Sequence, residues 1–145
     1  MTKLLLSIHV LAAIIAIGPV TVAASMFPAV ARRGDADALR LLSRICTVYA
    51  AIGVAVPVFG LATASSLGVL GDAWLLTSIA LTVLAAALLG LAILPRQRRL
   101  LQGVSGGAPD APAARALGML TGVFNLLWAV VVVLMIVRPG STTGV

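Results

Sequence analysis

The sequence predicts an all-α fold, a four-helix transmembrane bundle with both termini outside and two basic cytoplasmic loops. Composition, four apolar runs and the placement of the arginines all lead to this prediction. Of 145 residues, 61% are hydrophobic and only 10% are charged, whereas a soluble domain carries about a quarter charged residues. Such a chain cannot cover a globular surface with polar groups, so we expect a single transmembrane domain over residues 1–145 that has lipid as its solvent.

Each of the four apolar runs is long enough for a helix to cross a bilayer. The hydrocarbon core requires about 20 apolar residues, and backbone groups in lipid must be satisfied within the segment, which favours helices. The predicted spans cover about residues 4–27, 45–67, 73–94 and 117–137. Three of the runs are followed by Pro28, Pro95 and Pro139. We expect the helices to end there, because proline cannot continue a helix.

The connections between the runs differ in length and charge. In the first connection, Gly34 can end one helix and Asp35 can cap the next. The second connection, residues 68–72, is a short turn. The third begins with arginines and becomes rich in Gly, Pro and Ala, which predicts a flexible linker over about residues 102–114.

Basic residues are concentrated in two of the connections. Loops 28–44 and 95–116 carry eight arginines, whereas only Lys3 and Arg138 lie at the other end of the predicted bundle. Because cytoplasmic loops are enriched in Lys and Arg, both loops are predicted to be cytoplasmic in a multi-pass protein of the cell membrane. An alternative is a signal peptide cleaved near residues 22–25. Cleavage would place both basic loops outside and would therefore reverse the charge bias.

His9 is the only histidine and the main candidate for a cofactor ligand. It lies in the first run, roughly 8 Å below the outer boundary. In one interpretation it supplies one axial ligand to haem. In the other it bonds a hydroxyl or carbonyl group of a neighbouring helix. A single histidine cannot form a His-rich metal site, so no metal site is predicted.

Several other polar residues lie within the runs. Asn125 is expected to bridge two helices and not to contact His9. The hydroxyl groups near the outer ends can meet His9 in a shallow polar pocket if their helix faces converge; they belong to Thr63, Ser65, Ser66, Thr77 and Ser78. Cys46 is expected to be a small packing residue, and Trp74 to be an anchor at the membrane interface.

Small residues at four-residue spacing predict close contact between helices. The predicted packing positions are Gly60, Ala64, Gly68, Ala86, Gly90, Gly118 and Gly122. We also expect Pro19 and Pro57 to kink the first two helices.

The opening stretch KLLLSIHVLAAIIAIGP, followed by a basic loop and three further spans, resembles small bacterial membrane proteins of domain-of-unknown-function family 2269. The pattern consists of Lys3, His9 and Gly18. The same opening is similar to copper-resistance D-type membrane proteins and to HemJ-type protoporphyrinogen oxidases. The latter resemblance implies that His9 corresponds to a haem-ligand histidine. It also implies a lysine in a later helix, and this chain has no counterpart because Lys3 is its only lysine.

The sequence favours a non-enzymatic integral membrane protein, an accessory or structural subunit of a membrane complex. It predicts no catalytic residue and no cofactor for that role. The expected partners are the lipid bilayer and other membrane subunits or a second copy of the chain. The pattern of a basic face with aromatic residues is missing, so nucleic acid is not an expected partner. The alternatives are a haem-binding redox protein using His9 and a small metal or solute transporter; the absence of ionisable groups from the centres of the runs weighs against transport.

Overall fold

The computed structural model describes residues 1–140, and every regular element within them is helical. The elements are α1 (Thr2–Arg33), α2 (Ala36–Ile52), α3 (Ala55–Leu67), α4 (Ala73–Ala87), a π-helical segment (Leu88–Ile93), α5 (Leu94–Ser105) and α6 (Ala111–Val137). They form four apolar spans long enough to cross a membrane, since α2 continues into α3 and α4 continues through the π-helical segment into α5. The predicted four-helix membrane bundle is confirmed, and the chain is a multi-pass membrane protein.

The central pair of the bundle consists of α1 and α6. Helix α1 packs against α2, α3 and α6, and α6 packs against α4. The short α3–α4 connection lies at one end of the bundle, here called the turn end. The α1–α2 and α5–α6 connections lie at the opposite end, here called the loop end, where α2 packs against α5. Helix α3 therefore packs on α1, and helix α4 packs on α6.

The larger apolar core lies towards the loop end. It includes the fully buried side chains of Phe27, Leu39, Ile93 and Phe124. Cys46 belongs to this core with no exposed surface, as expected for a packing residue, and its Sγ atom lies 3.5 Å from the Gln97 amide nitrogen. A smaller apolar cluster joins the end of α3 to the start of α4 at the turn end.

The prediction that Pro28 and Pro95 end their helices is wrong. Helix α1 continues through Pro28 to the charged loop, and the third span continues through Pro95 to the end of α5. Pro95 lies directly after the π-helical segment, in which the hydrogen-bond register lengthens by one residue. Within membranes, local π-helical adjustments and neighbouring groups satisfy the carbonyl groups that a proline leaves without a donor. Helix α6 does end before Pro139, as predicted.

Pro57 interrupts the second span, whereas Pro19 does not interrupt α1. Pro57 has no N–H to donate to the Gly53 carbonyl oxygen four residues earlier. The Val56 N–H donates to that oxygen instead, at 3.1 Å, and the helix is broken at residues 53–54. The disruption predicted at Pro57 is thus confirmed, and Pro19 lies within an uninterrupted helix.

Helix ends at the loop end are specified by local residues. Gly34 ends α1 in the left-handed conformation with φ 74°, and the Asp35 side chain accepts a hydrogen bond from the Ala38 N–H at 3.0 Å. Both roles agree with the sequence prediction. Helix α5 extends to Ser105 and α6 begins at Ala111, so the non-helical connection covers residues 106–110 and is shorter than the predicted linker over about 102–114.

Candidate functional site

A cleft of about 1120 Å³ lies between α3 and α4, and its floor is formed by α1 and α6. We call it the lateral cleft, because several of its apolar lining side chains are exposed on the membrane-facing surface; they include Ile14, Leu61, Val83, Val132 and Ile136. Ligand sites commonly occupy roughly 300–1,000 Å³ and are lined mainly by apolar groups with a few polar ones. The lateral cleft is slightly larger than this range but has the same kind of lining, and its few polar side chains indicate where a ligand would be held.

His9 is a buried polar side chain of the lateral cleft that contacts a second helix. It is 9% exposed, and its Nδ1 atom lies 2.8 Å from the carbonyl oxygen of Val56 on α3. A carbonyl can only accept, so Nδ1 carries the hydrogen, and in the neutral imidazole Nε2 then keeps its lone pair. Within residues 1–140, Nε2 forms no hydrogen bond. One ring nitrogen therefore joins two helices, and the other provides a lone pair beside the cleft.

Gly60 allows the His9 ring to approach α3 this closely. A Cβ atom at position 60 would lie 2.8 Å from Cε1 and 3.1 Å from Nδ1 of His9. The first distance is shorter than any ordinary contact, so a side chain here is incompatible with the observed ring position. The small-residue spacing predicted close packing at Gly60, but it carried no signal that the partner is His9.

The predicted pocket of hydroxyl groups around His9 does not form. Most of these side chains bond a carbonyl one turn earlier on their own helix, which is a common alternative for Ser and Thr. The bonds run from Thr63 to Phe59, from Thr77 to Ala73 and from Ser78 to Trp74, each at 2.8 Å. Ser66 bonds Thr2 of α1 at 3.0 Å, and Ser65 is exposed. Of the five residues, only Thr63 lines the lateral cleft with His9.

A cationic and aromatic pair lies where the lateral cleft reaches the turn end. The Arg138 guanidinium lies 5.5 Å from the centre of the Trp74 ring, and Arg138 lines the cleft. Trp74 is only 7% exposed, and its Nε1–H donates to Asp72 at 3.0 Å. Trp74 therefore packs inside the end of the bundle, in contrast to the interfacial anchor that we expected. No sequence signal pairs Trp74 with Arg138, because the two residues belong to different spans.

Asn125 joins α6 to α1, as the sequence predicted. Its Nδ2–H donates to Ser25 Oγ at 3.1 Å, and neither residue lines the lateral cleft. Its Oδ1 atom is buried and has no hydrogen-bond partner within residues 1–140. Asn125 is thus a helix-bridging residue with only half of its amide satisfied.

The predicted packing positions divide into three groups. Those that pack between helices are Gly60, Ala64 and Gly118. Gly68 instead ends α3 with φ 71°, a conformation that favours glycine. The remaining three are exposed: Ala86, Gly90 and Gly122. A Cβ atom added to either glycine of the last group would meet nothing within 4 Å. The packing prediction is wrong at these three exposed positions because composition does not determine the rotation of a helix that is apolar on all sides.

The lateral cleft has no metal-binding cluster: among residues 1–140, no group of three or more His, Cys, Asp or Glu side chains is placed to hold a metal ion. Comparisons with models of protein families, with curated proteins and with solved structures found no match.

Proposed function

We propose that this membrane protein is a haem-binding redox protein that holds haem in the lateral cleft through Nε2 of His9. The observation that carries the proposal is the hydrogen bond from Nδ1 of His9 to the Val56 carbonyl. Histidines that bind metals almost always donate their other ring N–H to a carbonyl, carboxylate or water, which fixes the tautomer and the ring orientation. His9 has this arrangement, with the Val56 carbonyl as the partner of Nδ1.

The surroundings of His9 fit the same ligand. The cleft walls are apolar and follow α1 from Leu6 to Ile17, which is roughly 16 Å at about 1.5 Å per residue and suits the size of a porphyrin ring. Arg138 places a guanidinium at the turn end, where it can pair with a carboxylate. Met135 also lines the cleft, and its thioether sulfur would be a ligand available to the haem iron. The opening from Lys3 to His9 resembles that of HemJ-type proteins, and this resemblance implies the same histidine as the haem ligand.

Bound haem would supply one-electron chemistry, and the residues of the chain would bind and orient it. Gly60 and Val56 hold the His9 ring in a fixed orientation, and the apolar walls exclude water from the site. We infer that the turn end faces the outside and that both arginine-rich loops are cytoplasmic, because eight of the ten basic residues lie in those loops. This orientation places His9 in the outer half of the bilayer.

The absorption spectrum of the detergent-purified protein tests the proposal, together with a haem titration of any colourless fraction. We expect a Soret band in the wild type that His9→Asn removes. An asparagine amide can still donate to the Val56 carbonyl but offers no imidazole lone pair, so this variant separates ligation from folding. Thr82→Val is the matched control, because Thr82 lines the cleft but its hydroxyl bonds Ser78 of its own helix at 2.7 Å.

A second candidate function is that of an accessory subunit, and the exposed apolar walls of the lateral cleft favour it because they can receive a helix of a partner subunit. A wild-type protein that stays colourless and takes up no added haem would overturn the haem proposal. Co-purification of another membrane subunit, lost when Val83 is replaced by Trp, would then support the accessory role. A Soret band that persists in His9→Asn would also exclude His9 as the ligand.

A further inference from the structure

We propose that a second pocket, at the loop end, binds the phosphate group of an anionic phospholipid. This pocket has a volume of about 380 Å³ and lies between α5 and α6. We call it the basic pocket; its lining includes Arg96, Arg99, Gly103, Asp110, Ala113 and Ala116. None of these residues lines the lateral cleft, so this inference is independent of the proposed function.

The two arginines of the basic pocket are placed to act together. Arg96 and Arg99 are three residues apart, so they lie on the same face of α5. Arg96 donates to the Ala92 carbonyl at 3.2 Å. The one ion pair among residues 1–140 joins Arg40 to Asp37, so neither pocket arginine is paired with a carboxylate. Two guanidinium groups are therefore available for the oxygens of a phosphate, which they recognise well.

The single carboxylate of the basic pocket does not cancel this charge. Asp110 begins α6, and its Oδ1 atom accepts a hydrogen bond from the Ala113 N–H at 3.0 Å. It lies more than an ion-pair distance from both arginines, because no such pair is formed within the described residues. The lining thus carries two positive charges and one negative charge, and the negative charge is engaged in capping a helix.

The position of the basic pocket at the ends of the apolar runs favours the phosphate of a lipid over a soluble phosphate. Arg96 lies two residues after the end of the third apolar run, and Ala116 immediately precedes the fourth run, which begins at Leu117. The pocket therefore lies where the apolar part of the bundle ends, at the depth of lipid headgroups. Basic pockets between transmembrane helices bind anionic headgroups by this arrangement. The small side chains of Ala113 and Ala116 leave the space that a headgroup requires.

Native mass spectrometry of the detergent-purified chain, titrated with dioleoylphosphatidylglycerol or dioleoylphosphatidylcholine, tests this inference. We expect one phosphatidylglycerol to be retained preferentially, and Arg96→Gln/Arg99→Gln to weaken its binding roughly 30-fold, or about 2 kcal/mol at about 1 kcal/mol per arginine. The matched control is Arg32→Gln/Arg33→Gln, which removes the same charge from the other basic loop, outside the pocket. Ala116→Phe keeps both pocket charges and fills the space, so it should weaken binding as well.

Three results would overturn the inference. The first is equal retention of the two lipids by the wild type. The second is equal weakening in the two double variants, which would show that binding depends on net charge and not on the basic pocket. The third is displacement of phosphatidylglycerol by millimolar inorganic phosphate, which would make the pocket a site for soluble phosphate. Gel filtration of each variant verifies that the protein is folded before binding is compared.

Discussion

Replacing Gly60 with alanine should separate the His9 ring from α3. The added Cβ atom would lie 2.8 Å from Cε1 and 3.1 Å from Nδ1 of His9, so the ring must rotate or the helices must move apart. Either movement weakens the hydrogen bond from Nδ1 to the Val56 carbonyl. We therefore expect Gly60→Ala to destabilise the bundle, although alanine favours helix more than glycine does.

The size of the effect follows from three contributions. A hydrogen bond between membrane helices contributes about 0.6 kcal/mol on average and up to about 1.7 kcal/mol. Overpacking a filled site costs roughly 1–3 kcal/mol. We expect a cost in the lower part of that range, because the atoms that the new Cβ would meet lie at the end of the His9 side chain, which can shift. The higher helix propensity of alanine stabilises the helix by up to about 1 kcal/mol relative to glycine. Gly122→Ala shares this last gain and meets nothing within 4 Å. Gly60→Ala should therefore be about 2 kcal/mol less stable than Gly122→Ala.

Reversible unfolding in mixed micelles, followed by circular dichroism, measures the difference. The same pair of substitutions should also be made in a His9→Ala background. There the imidazole is gone, and Gly60→Ala should match Gly122→Ala within about 0.5 kcal/mol. Two results would contradict a close contact between position 60 and the His9 ring. One is a Gly60→Ala protein as stable as its control in the wild-type background. The other is an equal loss of stability in both backgrounds.

Three further predictions use the same preparations. Asn125→Ala should cost only about 0.6 kcal/mol in the unfolding assay, since it removes one hydrogen bond to α1 and one unpaired oxygen; a loss above about 2 kcal/mol would contradict this. Asp35→Ala should lower the free energy of unfolding by about 1 kcal/mol, because the helix cap is lost. Asp37→Ala should lower it by less than about 0.5 kcal/mol, because the ion pair of Asp37 is exposed. The reverse order of stability would show the cap to be unimportant. Ser105→Cys in a Cys46→Ala background should resist membrane-impermeant maleimide in intact cells and react after permeabilisation; ready labelling of intact cells would invert the proposed orientation.

The number of spans could be predicted from the sequence because lipid permits few alternatives for long apolar runs. The caps at Gly34 and Asp35 could also be predicted, since each depends on residues that are close in the chain. Proline was a poor guide to helix ends. Its effect at Pro28 and Pro95 depends on groups and local adjustments that the sequence does not reveal, and both helices continue.

The candidate site depends mostly on helix rotation, which the sequence determines weakly. Helices α3 and α4 are apolar on all sides, so the pattern does not tell whether Gly60 or Gly90 faces a neighbour. The partner of His9 is a backbone carbonyl, which every residue has, and it therefore leaves no sequence signal. The histidine itself was identified because a polar residue inside an apolar run is rare. Its two nitrogen environments became visible only with the fold.

The π-helical segment over Leu88–Ile93 determines the direction in which the basic residues of α5 point. One residue of an α-helix corresponds to a rotation of about 100°, so the extra residue in a π-helical turn rotates everything after it relative to α4. If the same sequence were α-helical throughout the third span, Arg96 and Arg99 would be rotated by about 100° away from their positions beside α6. Deleting Gly90, which is exposed and meets no neighbour, would remove the extra residue and keep the two arginines close to those positions in a continuous α-helix. The extra residue of the π-helical segment thus determines how the charged end of this span is rotated relative to its apolar half.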